Sequence, residues 1–155
     1  MKSVLYRARA CTAAACFLFV SVAGSQVHAD IPQQGVRSVL DGVFTQEQSA
    51  RGETQYLGTC KRCHKENLAG DQNEDVPPLV GDKFLSEWNR WTVGDLFEFF
   101  TTEMPPKRKD RTKLSAENYA DILAYILKQN GFPAGKTELL PTLEPLLEIE
   151  MSPSE

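Results

Sequence analysis

Cys60-Lys61-Arg62-Cys63-His64 is a C-x-x-C-H run, and its reading decides the rest of the chain. Two thiols one helical turn apart can each add to a vinyl group of a porphyrin, and the next residue offers an imidazole to its iron. The run therefore points to one covalently attached haem c. A C-x-x-C pair alone also suits a redox dithiol or half of a zinc site, and an oxidised pair in an exported protein needs no cofactor. The choice among these depends on what surrounds the run.

Upstream lies an export signal. Lys2, Arg7 and Arg9 form a basic start, an apolar small-residue stretch runs from about Cys11 to Ala23, and Val27 and Ala29 place small residues at the minus-three and minus-one positions before Asp30. Residues 1–29 are thus expected to be a signal peptide, cleaved on export to the periplasm. The apolar stretch is short for a transmembrane helix, so no membrane anchor is expected after cleavage. Cleavage also removes Cys11, Cys16 and His28, which leaves Cys60 and Cys63 as the only cysteines and His64 as the only histidine. A structural zinc site built from Cys and His needs four ligands and has three here. A Ser-His-Asp site would have to share His64.

Roughly 125 residues remain, the size of one domain. All acidic residues lie in this part, so it is more acidic than the net charge of −4 of the full sequence, which disfavours nucleic acid as a partner. Residues 30–44, punctuated by Gly and Ser, read as an extended arm. Thr45 with Gln48 matches a capping box and starts a helix to about Thr59, with Gly52, Tyr56 and Cys60 on one face. Residues 66–81 carry the Gly, Asp, Asn and Pro of a loop. A short helix is expected over Phe84 to Trp91, and Thr92 with Asp95 caps a longer one that stops before Met104-Pro105-Pro106. Ser115 opens the clearest helix, with Tyr119, Ile122, Leu123 and Ile126 as its buried stripe and Gly131 at its left-handed end. Residues 136–155 contain five glutamates and several Leu-Pro breaks, and read as an acidic tail lying loosely on the surface or disordered. The fold class is all-α.

From Thr45 to Gly135 the chain resembles the single-haem class I cytochromes c. The likeness rests on C-x-x-C-H, on Gly52 and Tyr56 ahead of it, on Tyr119 and Tyr125 in the last helix, on a loop proline and on a Met-Pro pair before that helix. It implies a cytochrome c fold, in which N- and C-terminal helices cross around one haem. Tyr119 or Ile122 is then expected beside Tyr56, with Gly52 permitting the close approach. In the family a loop proline carbonyl accepts the second N–H of the proximal imidazole; Pro77 is the better match, with Pro78 one residue away. His64 and Met104 are the implied iron ligands, Met151 being the other methionine of the exported part. Trp88 and Trp91 match positions from which an indole N–H can reach a haem propionate, with plain burial as the alternative.

The resemblance implies a periplasmic electron carrier with no catalytic residue of its own. Its partners would be redox proteins: a dehydrogenase or quinone-linked donor, and an oxidase or cytochrome acceptor. The alternative is a haem subunit of a larger periplasmic dehydrogenase or oxidoreductase. Basic residues flank both halves of the site, Lys61, Arg62 and Lys65 around the run and Lys107, Arg108, Lys109, Arg111 and Lys113 after Met104. They form a candidate docking rim on a mostly acidic protein.

Overall fold

The computed structural model describes residues 37–152, and the expected signal peptide lies outside them. The described residues are all-α apart from two short strands. In order they form β1 (Arg37–Ser38), a 3₁₀ turn (Val39–Asp41), α1 (Gln46–Thr59), α2 (Lys61–His64), α3 (Gly81–Trp88), α4 (Val93–Glu103), α5 (Arg108–Arg111), α6 (Ala116–Gln129), α7 (Leu143–Leu147) and β2 (Ile149–Glu150). No helix among them is long and apolar enough to cross a membrane.

The helix ends follow local chemistry. The Thr45 hydroxyl accepts from the Gln48 N–H, and full reciprocal caps close α4 at Thr92 and Asp95 and α6 at Ser115 and Asn118. At the other end of α6 the Gly131 and Phe132 N–H groups donate to the carbonyls of Lys128 and Leu127, with Gly131 at φ 85°. Two orphan carbonyls are thereby satisfied in a left-handed cap that most side chains would strain.

The helix α1 lies across α6 at Gly52. A Cβ built there would overlap the carbonyl of Asp121 and approach Tyr125 Cβ to 3.0 Å, so only glycine lets the two backbones come this close. The ring beside Tyr56 is Tyr125, at 5.3 Å between centroids, rather than Tyr119 or Ile122. Tyr125 lies about one turn beyond Ile122 and nearly two beyond Tyr119, whose hydroxyl is used elsewhere. Beside the crossing, the Arg51 guanidinium grips Asp121 through Nε and Nη2 at 3.0 and 2.9 Å. Its Nη1 and Nη2 also reach Glu138, at 3.0 and 2.9 Å. Gly52→Ala is expected to destabilise the haem-loaded protein by about 3 kcal/mol, the upper end of overpacking costs, because a backbone carbonyl cannot turn aside. Alanine's better helix propensity returns only about 1 kcal/mol. Thermal unfolding checks this, and an unchanged midpoint would contradict the crossing.

Three expectations need correction. Gln48 does not complete a capping box: it is buried, its Nε2 donates to the Leu139 carbonyl at 2.9 Å and its Oε1 accepts the Leu139 N–H at 2.8 Å. The arm is not extended over residues 37–44: Val39–Asp41 form a 3₁₀ turn closed by Gly42 at φ 67°, and Val39, Val43 and Phe44 are buried in the core. The acidic tail is not loose: Leu139, Leu146, Ile149 and Met151 are buried too, and β2 pairs in parallel with β1. The Leu-Pro breaks mark bends of a segment that packs; Pro145 sits in the first turn of α7, where no backbone N–H is missed.

Candidate haem-binding site

The residues singled out in the sequence converge on one cavity of about 990 Å³, at the upper end of the size of ligand pockets. Cys60 and Cys63 line it as free thiols, at the junction of α1 and α2. Burial, and then the neighbouring Cys63, push the Cys60 thiol up to about 11. His64, on the same turn, also lines the cavity. Its Nδ1 lies 3.1 Å from the Pro77 carbonyl, so the tautomer with Nδ1–H donating leaves Nε2 with a lone pair. Burial holds the imidazole below its ordinary pKa, partly offset by the Pro77 bond, which favours the neutral form a metal needs.

Backbone geometry brings the proline to the histidine. The loop doubles back through paired bonds between Asp71 and Val76, both 2.9 Å, and a Leu79 N–H to Leu68 carbonyl bond of 2.8 Å. The Tyr56 hydroxyl donates to the Lys65 carbonyl at 2.6 Å, tying the turn after His64 to α1. Asn130, at the end of α6, donates to the Leu79 carbonyl and accepts from the Gly81 N–H, both 3.0 Å. That second bond satisfies a free N–H at the start of α3, which therefore runs over Gly81–Trp88, earlier than the expected Phe84 to Trp91. Trp91 falls in the turn beyond.

Met104 lines the cavity from the chain that leaves α4. The Tyr119 hydroxyl donates to its carbonyl at 2.6 Å, and Arg111 Nη1 donates to the carbonyls of Glu103, Pro105 and Pro106 at 3.3, 2.9 and 3.0 Å. The sequence showed Arg111 only as one of several loop cations. Its role as the clamp of this turn needs the fold of α5 back onto the prolines. Met151 does not compete: it is 3% exposed in the core and does not line the cavity.

The walls are largely apolar. Phe84 and Trp88 come from α3, Phe99 and Phe100 from α4, Ile122 and Ile126 from α6. Trp88 packs at 5.6 Å from Phe99 and 6.5 Å from Trp91. Trp91 lines the cavity with 53% of its surface exposed, so plain burial is not its state. A large apolar cavity with two thiols, an oriented imidazole and a thioether is a donor set suited to a haem and to its covalent attachment.

Helices crossing at a glycine over such a cavity define a c-type cytochrome domain, whose cofactor is a covalently bound haem c with iron. Residues 47–126 match the family described as cytochrome c oxidase, cbb3-type, subunit III, just over half of the sequence, and the chain belongs to that family. No curated protein and no solved structure matches the chain.

Proposed function

We propose that this protein is a periplasmic monohaem cytochrome that carries single electrons between redox partners, in which His64 and Met104 would hold the haem iron and Cys60 and Cys63 would be the points of attachment. The observation that carries the reading is the single cavity that all four residues line. When bound, the haem supplies a one-electron ferrous–ferric couple. The residues of the chain do the rest. The Pro77 carbonyl orients the His64 ring, and Arg111 and Tyr119 fix the backbone on either side of Met104, so both ligands keep their positions in either oxidation state. Two protein ligands leave no position for a substrate, as a carrier requires. Carbon monoxide added to the ferrous protein at neutral pH tests the pair: no rapid binding is expected, and rapid binding would overturn the assignment of Met104.

The basic rim narrows to five residues. Lys65 pairs with Asp71 at 2.6 Å, Lys113 with Asp110 at 2.8 Å, and Arg111 is held by carbonyls. Lys61, Arg62, Lys107, Arg108 and Lys109 form no ion pair among the described residues. Arg62 and Lys107 both line the cavity, as does Asp110, whose carboxyl is held below its ordinary pKa first by its hydrogen bond from Lys113 and to a lesser degree by Lys109 and Arg62, so the two halves of the rim adjoin. An acidic partner surface fits there. Charge reversal at Lys107, Arg108 and Lys109 is expected to slow electron exchange with such a partner about tenfold or more at low salt. Near physiological salt, where screening acts within about 8 Å, the difference shrinks. A rate with unchanged salt dependence would contradict the rim.

A second reading, a haem subunit of a larger oxidoreductase, is favoured by the family's own description as an oxidase subunit. Purification from the native source separates the two, since a carrier elutes alone and a subunit elutes with its complex.

A further inference from the structure

The family match ends at residue 126, yet the chain beyond α6 is bound to the domain through its described residues, as far as Met151. Glu138 is held by Arg51, and the Leu139 backbone by the Gln48 side chain. Helix α7 then lies against α4, where a Cβ on Gly94 would stand 2.6 Å from the Leu147 nitrogen. Beyond it, β2 pairs with β1 on one side, and Glu150 forms an isolated bridge with Thr92, the cap of α4, on the other. The last contact is the Met151 N–H donating to the Trp91 carbonyl at 3.0 Å, while the Trp91 N–H donates to Trp88 at the same distance. Among the described residues the segment thus reaches the turn between α3 and α4; Trp91 lies in that turn and Trp88 at the end of α3, and both line the cavity.

We propose that residues 137–151 are a strap that holds the chain from Trp88 to Trp91, and so fixes how much of the haem those two rings cover and helps set the reduction potential. Met151 acts through Trp91 and is a positioning residue. The inference rests on the haem reading above. Its physical basis is that water beside a haem favours the more highly charged ferric form, so excluding it raises the potential. Mobile aromatic rings do not exclude water, and the turn from Trp88 to Trp91 has the Met151 bond and the Thr92 bridge to hold its far end.

The chain has two tryptophans, both in this wall, so their emission reports on it alone. In the haem-loaded full-length protein, Met151→Pro removes the donor to Trp91, whereas Met151→Leu keeps it. A chain ending at Glu150 removes the same donor without introducing proline. The first and third are expected to keep the haem attached, shift the midpoint potential downward and lose part of the haem quenching of tryptophan emission; Met151→Leu is expected to match the parent. Gln48→Leu serves as the comparison, since it loosens the strap at its other end and is expected to lower thermal stability without moving potential or emission. A merely structural strap predicts lower stability in all the loosened variants with potential and emission unchanged, and that result would overturn the proposal. Failure of the haem reading is distinct, because the parent itself would then lack haem absorption.

Discussion

Replacing Cys60 and Cys63 together by alanine is expected to abolish covalent haem and to take most of the fold with it. The cavity of about 990 Å³ opens to solvent beside Trp91 and is walled on its inner side by Phe84, Phe100, Ile122 and Ile126. These side chains have one another on one side and the cavity on the other. Without the haem the apolar lining of this open cavity faces water, and the burial that the cofactor would complete is lost. A domain is stable by only roughly 5–15 kcal/mol, so the walls are expected to collapse or unfold. Far-ultraviolet circular dichroism and the haem spectrum of the double variant check this together. A haem-free variant with native helix content and a cooperative melt would show that the core does not need the cofactor.

Met104→Ala is expected to leave haem attached through Cys60 and Cys63 while changing its redox character. The thioether is a soft ligand that favours ferrous iron, so its loss lowers the midpoint potential. The weak near-infrared sulfur-to-iron band of His/Met cytochromes should disappear, and the ferrous protein should bind carbon monoxide. The backbone of the loop is held independently of the side chain, by Tyr119 on the Met104 carbonyl and by Arg111 on its neighbours. The variant should therefore fold as the parent does, and circular dichroism separates loss of the ligand from loss of the loop. Retention of the band together with the parent potential would remove Met104 from the iron.

Much of this site was legible because its signals are local. Thr92 with Asp95, Ser115, and Gly131 followed by Phe132 each announce a helix end within four residues, and each end lies where the spacing put it. Met104 before two prolines had to leave the helix, and it does. Gly52 was legible as a close approach, though the ring that packs beside Tyr56 is Tyr125, nearly two turns beyond the Tyr119 expected there. What escaped depends on partners distant in sequence. Gln48 looked like a capping residue because its match with Thr45 was complete locally; its true partner, Leu139, is some ninety positions on. The tail looked loose because its acidic residues and prolines obscure the spacing of Leu139, Leu146, Ile149 and Met151, which only the paired strands and α7 align. Arg111 and Asn130 were hidden for the same reason: each binds backbone carbonyls, and carbonyls carry no signature in sequence.

The central claim is one haem c held through Cys60 and Cys63. The mass of the purified protein, measured after denaturation together with its alkaline pyridine haemochrome spectrum, tests it most directly. The predicted result is a mass increased by a single haem over that of the polypeptide, with the haemochrome band of a haem whose two vinyl groups are both saturated. A chain of unmodified mass, or a haem that acidic solvent extracts, would contradict it.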